Sequence, residues 1–292
     1  MKKLSISEYK VEGKVKISEF KSFEDFDAYK KELEKELEDT REKLGDLQDT
    51  LYAHGKYAVL VCLQGMDTAG KDSLIREVFK DFNARGVVVH SFKVPTELEK
   101  NHDYLWRHYI ALPARGKFGV FNRTHYENVL VTRVHPNYIL GEKLPAIHSV
   151  SDIDETFWDK RFEQINNFEK TIAQNGTLIF KFFLNLSKEE QKNRLIRRLD
   201  KPNKRWKFSP GDLVERKLWD TYMNCYEDIL NRTSHPHAPW YAIPADNKPA
   251  ARLIVASILL EELQKYEDIK EPKLDEDVKA RIQEFKETLR GE

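Results

Sequence analysis

The chain has 292 residues, 40% of them hydrophobic, and its 49 basic residues balance 49 acidic ones to a net charge of zero. That is enough apolar material for one sizeable core, and it leaves no global positive field of the kind a dedicated nucleic-acid binder carries. Any polyanion site must therefore be a local cluster.

The opening MKKLSISEYKVEGK has lysines but no apolar core behind them, unlike a signal peptide, and no apolar run approaches the length of a membrane span. Cys62 and Cys225 fall in an apolar strand and an amphipathic helix. They read as core residues of a reduced compartment, not as a disulfide or zinc set. A cytoplasmic globular protein is expected, with no membrane and no nucleic acid among its partners.

Residues 1–22 alternate weakly and read as a surface arm. Residues 23–53 are dense in Glu, Lys and Leu, with Phe26, Tyr29, Leu33 and Leu37 at helical spacing. One long helix or two is predicted, with Gly45 as the break. Residues 1–54 thus form an N-terminal extension of arm and helices.

From Tyr57 strands alternate with helices, the mark of a parallel sheet. Strands are predicted at 58–63, 87–92, 117–121, 177–184 and 240–243. Helices are predicted from Asp72 to about 82, from 96 to about 112, over 125–131, over 152–174, from Ser187, over 210–230 and over 248–266. A charged helix over 275–289 ends the chain. The whole reads as one α/β domain over 55–270, with helical extensions at both ends.

The segment YAVLVCLQGMDTAGKDSLI (57–75) organises this pattern. A buried strand, a G-x-x-x-x-G-K turn and an amphipathic helix follow one another, as in a phosphate-binding loop. Gly65 and Gly70 let successive N–H groups converge on an anion, and the helix adds its positive dipole end. Lys71 supplies a cation able to follow a moving phosphoryl group. With Met66, Thr68, Ala69, Asp72 and Ser73 these residues form the candidate phosphate-binding set. Asp72 stands where the usual loop has a magnesium-ligating Ser or Thr, and reads as a helix-start carboxylate complementing the dipole. Asp67, inside the loop, is the candidate metal ligand, a hard oxygen suited to Mg²⁺.

Other strand ends add to the site, because ligands of open α/β sheets bind beyond the carboxyl ends of strands. The third strand delivers Asn122 and Arg123, the latter a bidentate phosphate ligand. Arg107, in YLWRHY, is a candidate for an acceptor pocket, while Trp106 beside it reads as core. Arg115 and Arg133 are further candidates for the same anionic cleft. Between Arg194 and Lys207, seven basic residues (Arg194, Arg197, Arg198, Lys201, Lys204, Arg205, Lys207) face one acid, Asp200. A solvated helix would mix signs, so this stretch, about 194–210, reads as a lid closing over phosphate. His235 and His237 lack a third ligand for a metal site, and HYEN at His125 is not the H-E-x-x-H pattern.

Taken together, GMDTAGKDS, FNRTHYENVLVTRVHP, FKFFLNLSKEEQKNRLIRRL, WKFSPGD and APWYAIPADNKPAAR resemble polyphosphate kinase family 2, over residues 52–263. The resemblance implies a P-loop kinase fold, Mg²⁺ or Mn²⁺, and phosphoryl transfer between inorganic polyphosphate and adenine or guanine nucleotides. It carries catalytic roles to Asp67, Lys71, Asn122 and Arg123, and lid roles to Arg198 and its neighbours. Asn122, where many members have Asp, together with His125-Tyr126-Glu127, resembles the subgroup that phosphorylates AMP as well as ADP. A homodimer or homotetramer is implied too. An ATP-dependent nucleoside-monophosphate kinase and a nucleotide-gated binding module without transfer activity are the other readings.

Overall fold

A computed structural model describes residues 2–292. The arm contains single 3₁₀ turns at Ile6–Tyr9 and Ile17–Glu19 and then leads to helix α1, Lys30–His54. Strand β1 (Ala58–Gln64) and helix α2 (Lys71–Val78) flank the phosphate loop; β2 is Val87–Ser91. Short helices α3 (Glu97–Lys100) and α4 (Trp106–Tyr109) precede β3 (Phe118–Asn122) and α5 (Glu127–Val134). Helix α6 (Glu155–Gln174), β4 (Thr177–Asn185) and α7 (Lys188–Asp200) follow. The chain closes with α8 (Pro210–Lys217), α9 (Trp219–Thr233), β5 (Trp240–Pro244), α10 (Lys248–Leu263), α11 (Glu276–Ala280) and α12 (Ile282–Arg290).

All five strands run parallel in the order β2-β3-β1-β4-β5. Every residue of β1 is buried, as expected for a central strand covered by helices on both faces. Because β1 sits between β3 and β4, the chain leaves it at the point where strand order reverses. The phosphate loop therefore opens into the crevice above β1, β3 and β4. One face of the sheet packs on α1, α2 and α10, through residues such as Val59, Val61, Phe182 and Ile254. The other packs on α5, α6 and α9, through Phe162, Phe183, Tyr226 and Trp240.

The arm has a structural task. Lys10 forms an antiparallel bridge with Tyr241, and Val11 N donates to the Trp240 carbonyl at 2.8 Å. The free edge of β5 is thereby covered, which removes a template for unwanted pairing.

The structure differs from the sequence expectations in four helices. The first begins at Lys30, not at 23, because Phe26 adopts φ 57° in a turn and fills the core from there. Helix α1 then runs unbroken through Gly45, where a Cβ would lie 2.8 Å from the Asp81 carbonyl. That glycine serves close packing instead of a break. The expected helix over 96–112 is two single turns. Thr96 and Glu99 cap the first reciprocally, and Asp103 Oδ1 then accepts from Leu105 N at 2.8 Å, a local bond that competes with helix continuation. The helix expected over 210–230 bends at Leu218, where α8, which buries no residue, meets α9, which turns Trp219 and Tyr222 into the core. The terminal helix is likewise divided at Arg281.

Candidate active site

The phosphate loop is shaped by its glycines and tied down from behind. Gly65 (φ 151°) and Gly70 (φ 109°) occupy backbone conformations that disfavour side chains. Lys71, at the start of α2, folds its Nζ onto the carbonyls of Gly65 at 2.6 Å and Met66 at 3.4 Å. Burial first, and then the charge of Arg123, holds the Lys71 amine down to about 8.

Arg194 of α7 is almost fully buried, and it clamps the loop. Its Nη1 donates to the Thr68 and Ala69 carbonyls (3.0 and 2.9 Å), its Nη2 to those of Ala245 and Asp246 (2.6 and 2.9 Å), and its Nε to Glu190 at 2.8 Å. Gln191 adds a bond to the Asp67 carbonyl at 3.1 Å. Arg194 thus lines the phosphate cavity, yet spends its donors on protein carbonyls and a carboxylate.

Opposite the loop, β3 delivers Asn122 and Arg123. Arg123 Nη2 donates to Asp67 Oδ1 at 2.8 Å and Nη1 to Glu127 Oε2 at 3.3 Å. Asn122 Nδ2 donates to Asp72 Oδ1 at 2.6 Å. Asp72 therefore does more than complement the α2 dipole. It holds the Asn122 amide and faces the same cavity.

That cavity has a volume of about 980 Å³. Its floor is the loop from Asp67 to Ser73; one wall holds Ser91, Phe92 and Lys93 after β2; the stretch 197–212 supplies Arg197, Arg198, Lys201, Lys204, Trp206, Lys207 and Asp212. A third wall, Arg76, Lys248 and Arg252, escaped the sequence reading. Lys248 begins α10 just beyond β5, so the rule about strand ends, applied to the fifth strand, would have found it. Burial, followed by the nearby charges of Arg194 and Arg197, holds its amine down to about 8. In all, twelve Lys and Arg line the cavity against three Asp, in a chain of zero net charge.

The remaining candidates are elsewhere. Arg107 is buried behind Lys93, donating to its carbonyl at 2.8 Å and lying over the Phe92 ring, and does not line the cavity. Its neighbouring aromatics mark core packing, and Trp106 is half-buried, stacked on His102. Arg133 pairs with Asp228 at 2.6 Å on the far side of α5, and Arg115 donates to the Lys56 carbonyl. Neither reaches the cleft. Gly65 and Met66 face a small pocket of about 30 Å³ with Glu127, Glu215, Tyr222 and Tyr226. In the lid, Arg198 is held by the Lys207 carbonyl and Asp212, whereas Lys201 and Lys204 are exposed. Cys62 and Cys225 are buried and unpaired. Among the described residues, no cluster of three His, Cys, Asp or Glu stands ready for a metal, and no helix is long and apolar enough to cross a membrane.

Comparison with known proteins finds relatives over most of the chain. The family model described as Polyphosphate kinase 2 (PPK2) matches residues 27–272. An ADP-polyphosphate phosphotransferase of Rhodopseudomonas palustris is 49% identical over 223 residues, 76% of each chain. An AMP/ADP-polyphosphate phosphotransferase of Meiothermus ruber is 46% identical over 222 residues, 76% of this chain and 78% of that one. The crystal structure of Polyphosphate Kinase 2 from Arthrobacter aurescens superimposes with a TM-score of 0.86 at 36% identity, covering 97% of both chains. With a parallel sheet bearing a phosphate loop, a strongly basic cavity and a family match over most of its length, the chain belongs to the polyphosphate kinase 2 family.

Proposed function

We propose that this protein is a polyphosphate-dependent nucleotide kinase, transferring the terminal phosphoryl group of inorganic polyphosphate to AMP or ADP, reversibly. The observation that carries the reading is the cavity's excess of twelve basic over three acidic side chains, spread from the loop to the lid and to α10. A single nucleotide triphosphate needs far fewer cations; a long polyanion meets many. The relatives from Rhodopseudomonas palustris and Meiothermus ruber are named for polyphosphate transfer to ADP and to AMP/ADP.

In the reaction an oxygen of the acceptor's last phosphate attacks the terminal phosphorus of polyphosphate. The bridging P–O bond breaks, and the shortened chain leaves with the electron pair. Acceptor phosphate oxygens are already ionised near neutral pH, so no general base is required. The protein's part is placement and charge neutralisation. The loop's N–H groups and Lys71 face the transferred group. Arg123, fixed between Asp67 and Glu127, supplies a guanidinium beside it. Arg197, Lys201 and Lys204 of the lid, with Lys248 and Arg252 opposite, hold the chain.

Mg²⁺ fits this donor set. Asp67 and Asp72 offer carboxylate oxygens to the cavity, and Thr68 Oγ1 is buried without a hydrogen-bond partner. Mg²⁺ takes one or two carboxylates plus substrate phosphates, and would neutralise phosphate charge there. Assembly into a dimer or tetramer belongs to the same proposal. The exposed Val88 and Val89 of edge strand β2 are a surface that assembly would cover.

The test is chromatographic. Purified protein given AMP, long-chain polyphosphate and Mg²⁺, with no ATP added, should produce ADP and then ATP. Transfer to AMP only when ATP is supplied would support the nucleoside-monophosphate kinase instead.

A further inference from the structure

The turn after β3 has two faces. Arg123 adopts φ 60°, a costly conformation for a residue with a side chain. Its guanidinium lies between Asp67 and Glu127, at 2.8 and 3.3 Å. The residues between Arg123 and Glu127 point the other way: Thr124, His125 and Tyr126 are each 0% exposed. Thr124 Oγ1 accepts from the Gln64 amide and from Tyr126 N, both at 3.1 Å, tying the turn to the end of β1.

Beneath the turn lies a lysine in the middle of the sheet. Lys181 of β4 is wholly buried, and its Nζ donates to Glu169 Oε2 at 2.6 Å, Tyr126 Oη at 2.8 Å and the Thr233 carbonyl at 2.7 Å. Three donors meet three acceptors, as an ammonium requires. Glu169 of α6 accepts from the Tyr126 hydroxyl at 2.7 Å and from His125 Nε2 at 3.0 Å. Burial would raise the Glu169 carboxyl, but Lys181 and His125 hold it down at about 2, so it is ionised. A buried ion pair is poor evidence of stabilisation, since apolar residues of similar volume commonly do as well. What distinguishes this pair is what it grips, the two inward side chains of the turn that carries Arg123.

We propose that Lys181 and Glu169 are positioning residues for phosphoryl transfer, holding His125 and Tyr126 so that Arg123 stays in its left-handed conformation against Asp67. The inference rests on the kinase reading above. Neither residue lines the cavity. They act through the turn, so that the guanidinium is in place before substrate arrives.

Tyr126→Phe removes only the hydroxyl that accepts from Lys181 and donates to Glu169. With polyphosphate and ADP, kcat should fall about tenfold, the scale of one hydrogen bond to a charged group. KM for polyphosphate should change less than about twofold, because the loop and lid bind it. The loss should vanish in an Arg123→Ala background, since the effect runs through that side chain. Amide hydrogen exchange should accelerate over residues 122–128 and not across the rest of the sheet. Lys181→Met combined with Glu169→Gln should repeat the pattern, which separates it from a fold defect peculiar to one variant. Additive losses with Arg123→Ala, or unchanged exchange over 122–128, would overturn the proposal. A parent protein without polyphosphate-dependent transfer would refute the kinase reading, and the exchange measurement would still decide the positioning claim.

Discussion

Lys71 and Asn122 show how much a single side chain decides here. Lys71→Ala should lower turnover about a hundred-fold or more, the scale for one lost transition-state donor. Its melting temperature should hold or rise slightly, because the native site keeps a charge in a partly desolvated place. Near-normal turnover would contradict the loop's role. Lys71 and Lys248 both titrate near 8, below the ordinary lysine value of 10.5. Between those limits the unfolded chain holds protons that the folded one has released, so these lysines make the free protein more stable as pH rises through that window. A bound polyanion restores their charge. Binding should therefore take up protons near pH 8 and weaken above it, which calorimetry in buffers of different ionisation enthalpy would read. Zero uptake would contradict the assignment. Asn122→Asp replaces the donor to Asp72 with a second carboxylate. At an effective dielectric near 20, two such charges about 5 Å apart repel by about 3 kcal/mol. AMP reaches less far toward the donor than ADP and needs the phosphates and ligands to adjust, so the kcat/KM ratio of AMP over ADP should fall about tenfold. An unchanged or higher ratio would remove Asn122 from acceptor choice. The sequence showed both residues at strand and helix ends, but not the Asp72 partner, because the bond joins positions far apart in the chain.

The elements that matter most are α7 and the lid it begins. Its inner residues, Gln191 and Arg194, are bolted to the phosphate loop, while Arg197 and Lys201 face the cavity. Seven basic residues in a run mark this stretch as one of a single sign, but do not reveal this division of labour, which depends on which helical face meets the loop. Arg194→Lys leaves three donors for five acceptors and should destabilise the protein by about 3 kcal/mol, as breaking a buried charged network does. Denaturant unfolding would measure it, and a loss under about 1 kcal/mol would contradict the clamp. Changing Arg197, Lys201 and Lys204 together to Gln should weaken polyphosphate use more than ADP use. It should also flatten the salt dependence of activity, by loose analogy with counterion release from nucleic acids. If only nucleotide affinity suffered, the lid would serve the acceptor. Helix breaks were less legible than strands. The Asp103 and Leu218 departures arise from a local side-chain bond and from a change in what the helix buries, whereas buried strands announce themselves by unbroken apolar runs.

For the molecule as a whole, zero net charge and a cavity of one sign are two sides of the same arrangement. Twelve Lys and Arg converge on the cavity against three Asp, and the balancing acids lie elsewhere in the chain, so the field is local. The sheet and its loop were readable because periodicity and the G-x-x-x-x-G-K spacing are local facts. Sequence does not place Arg107 outside the cavity, because an arginine beside aromatics looks alike in a core and in a pocket, nor Arg133, because its partner Asp228 comes from α9, far along the chain. Lys248 stands just past the fifth strand, where the strand-end rule reaches it, whereas Arg252 joins the cavity only because the fold brings α10 beside α2. The central claim concerns the donor, and labelled polyphosphate tests it most directly. With ³²P-polyphosphate, unlabelled ADP and Mg²⁺, label should appear in the γ-phosphate of ATP at a rate that Lys71→Ala reduces about a hundred-fold or more. Nucleotide that stays unlabelled while added ATP phosphorylates AMP would contradict the account.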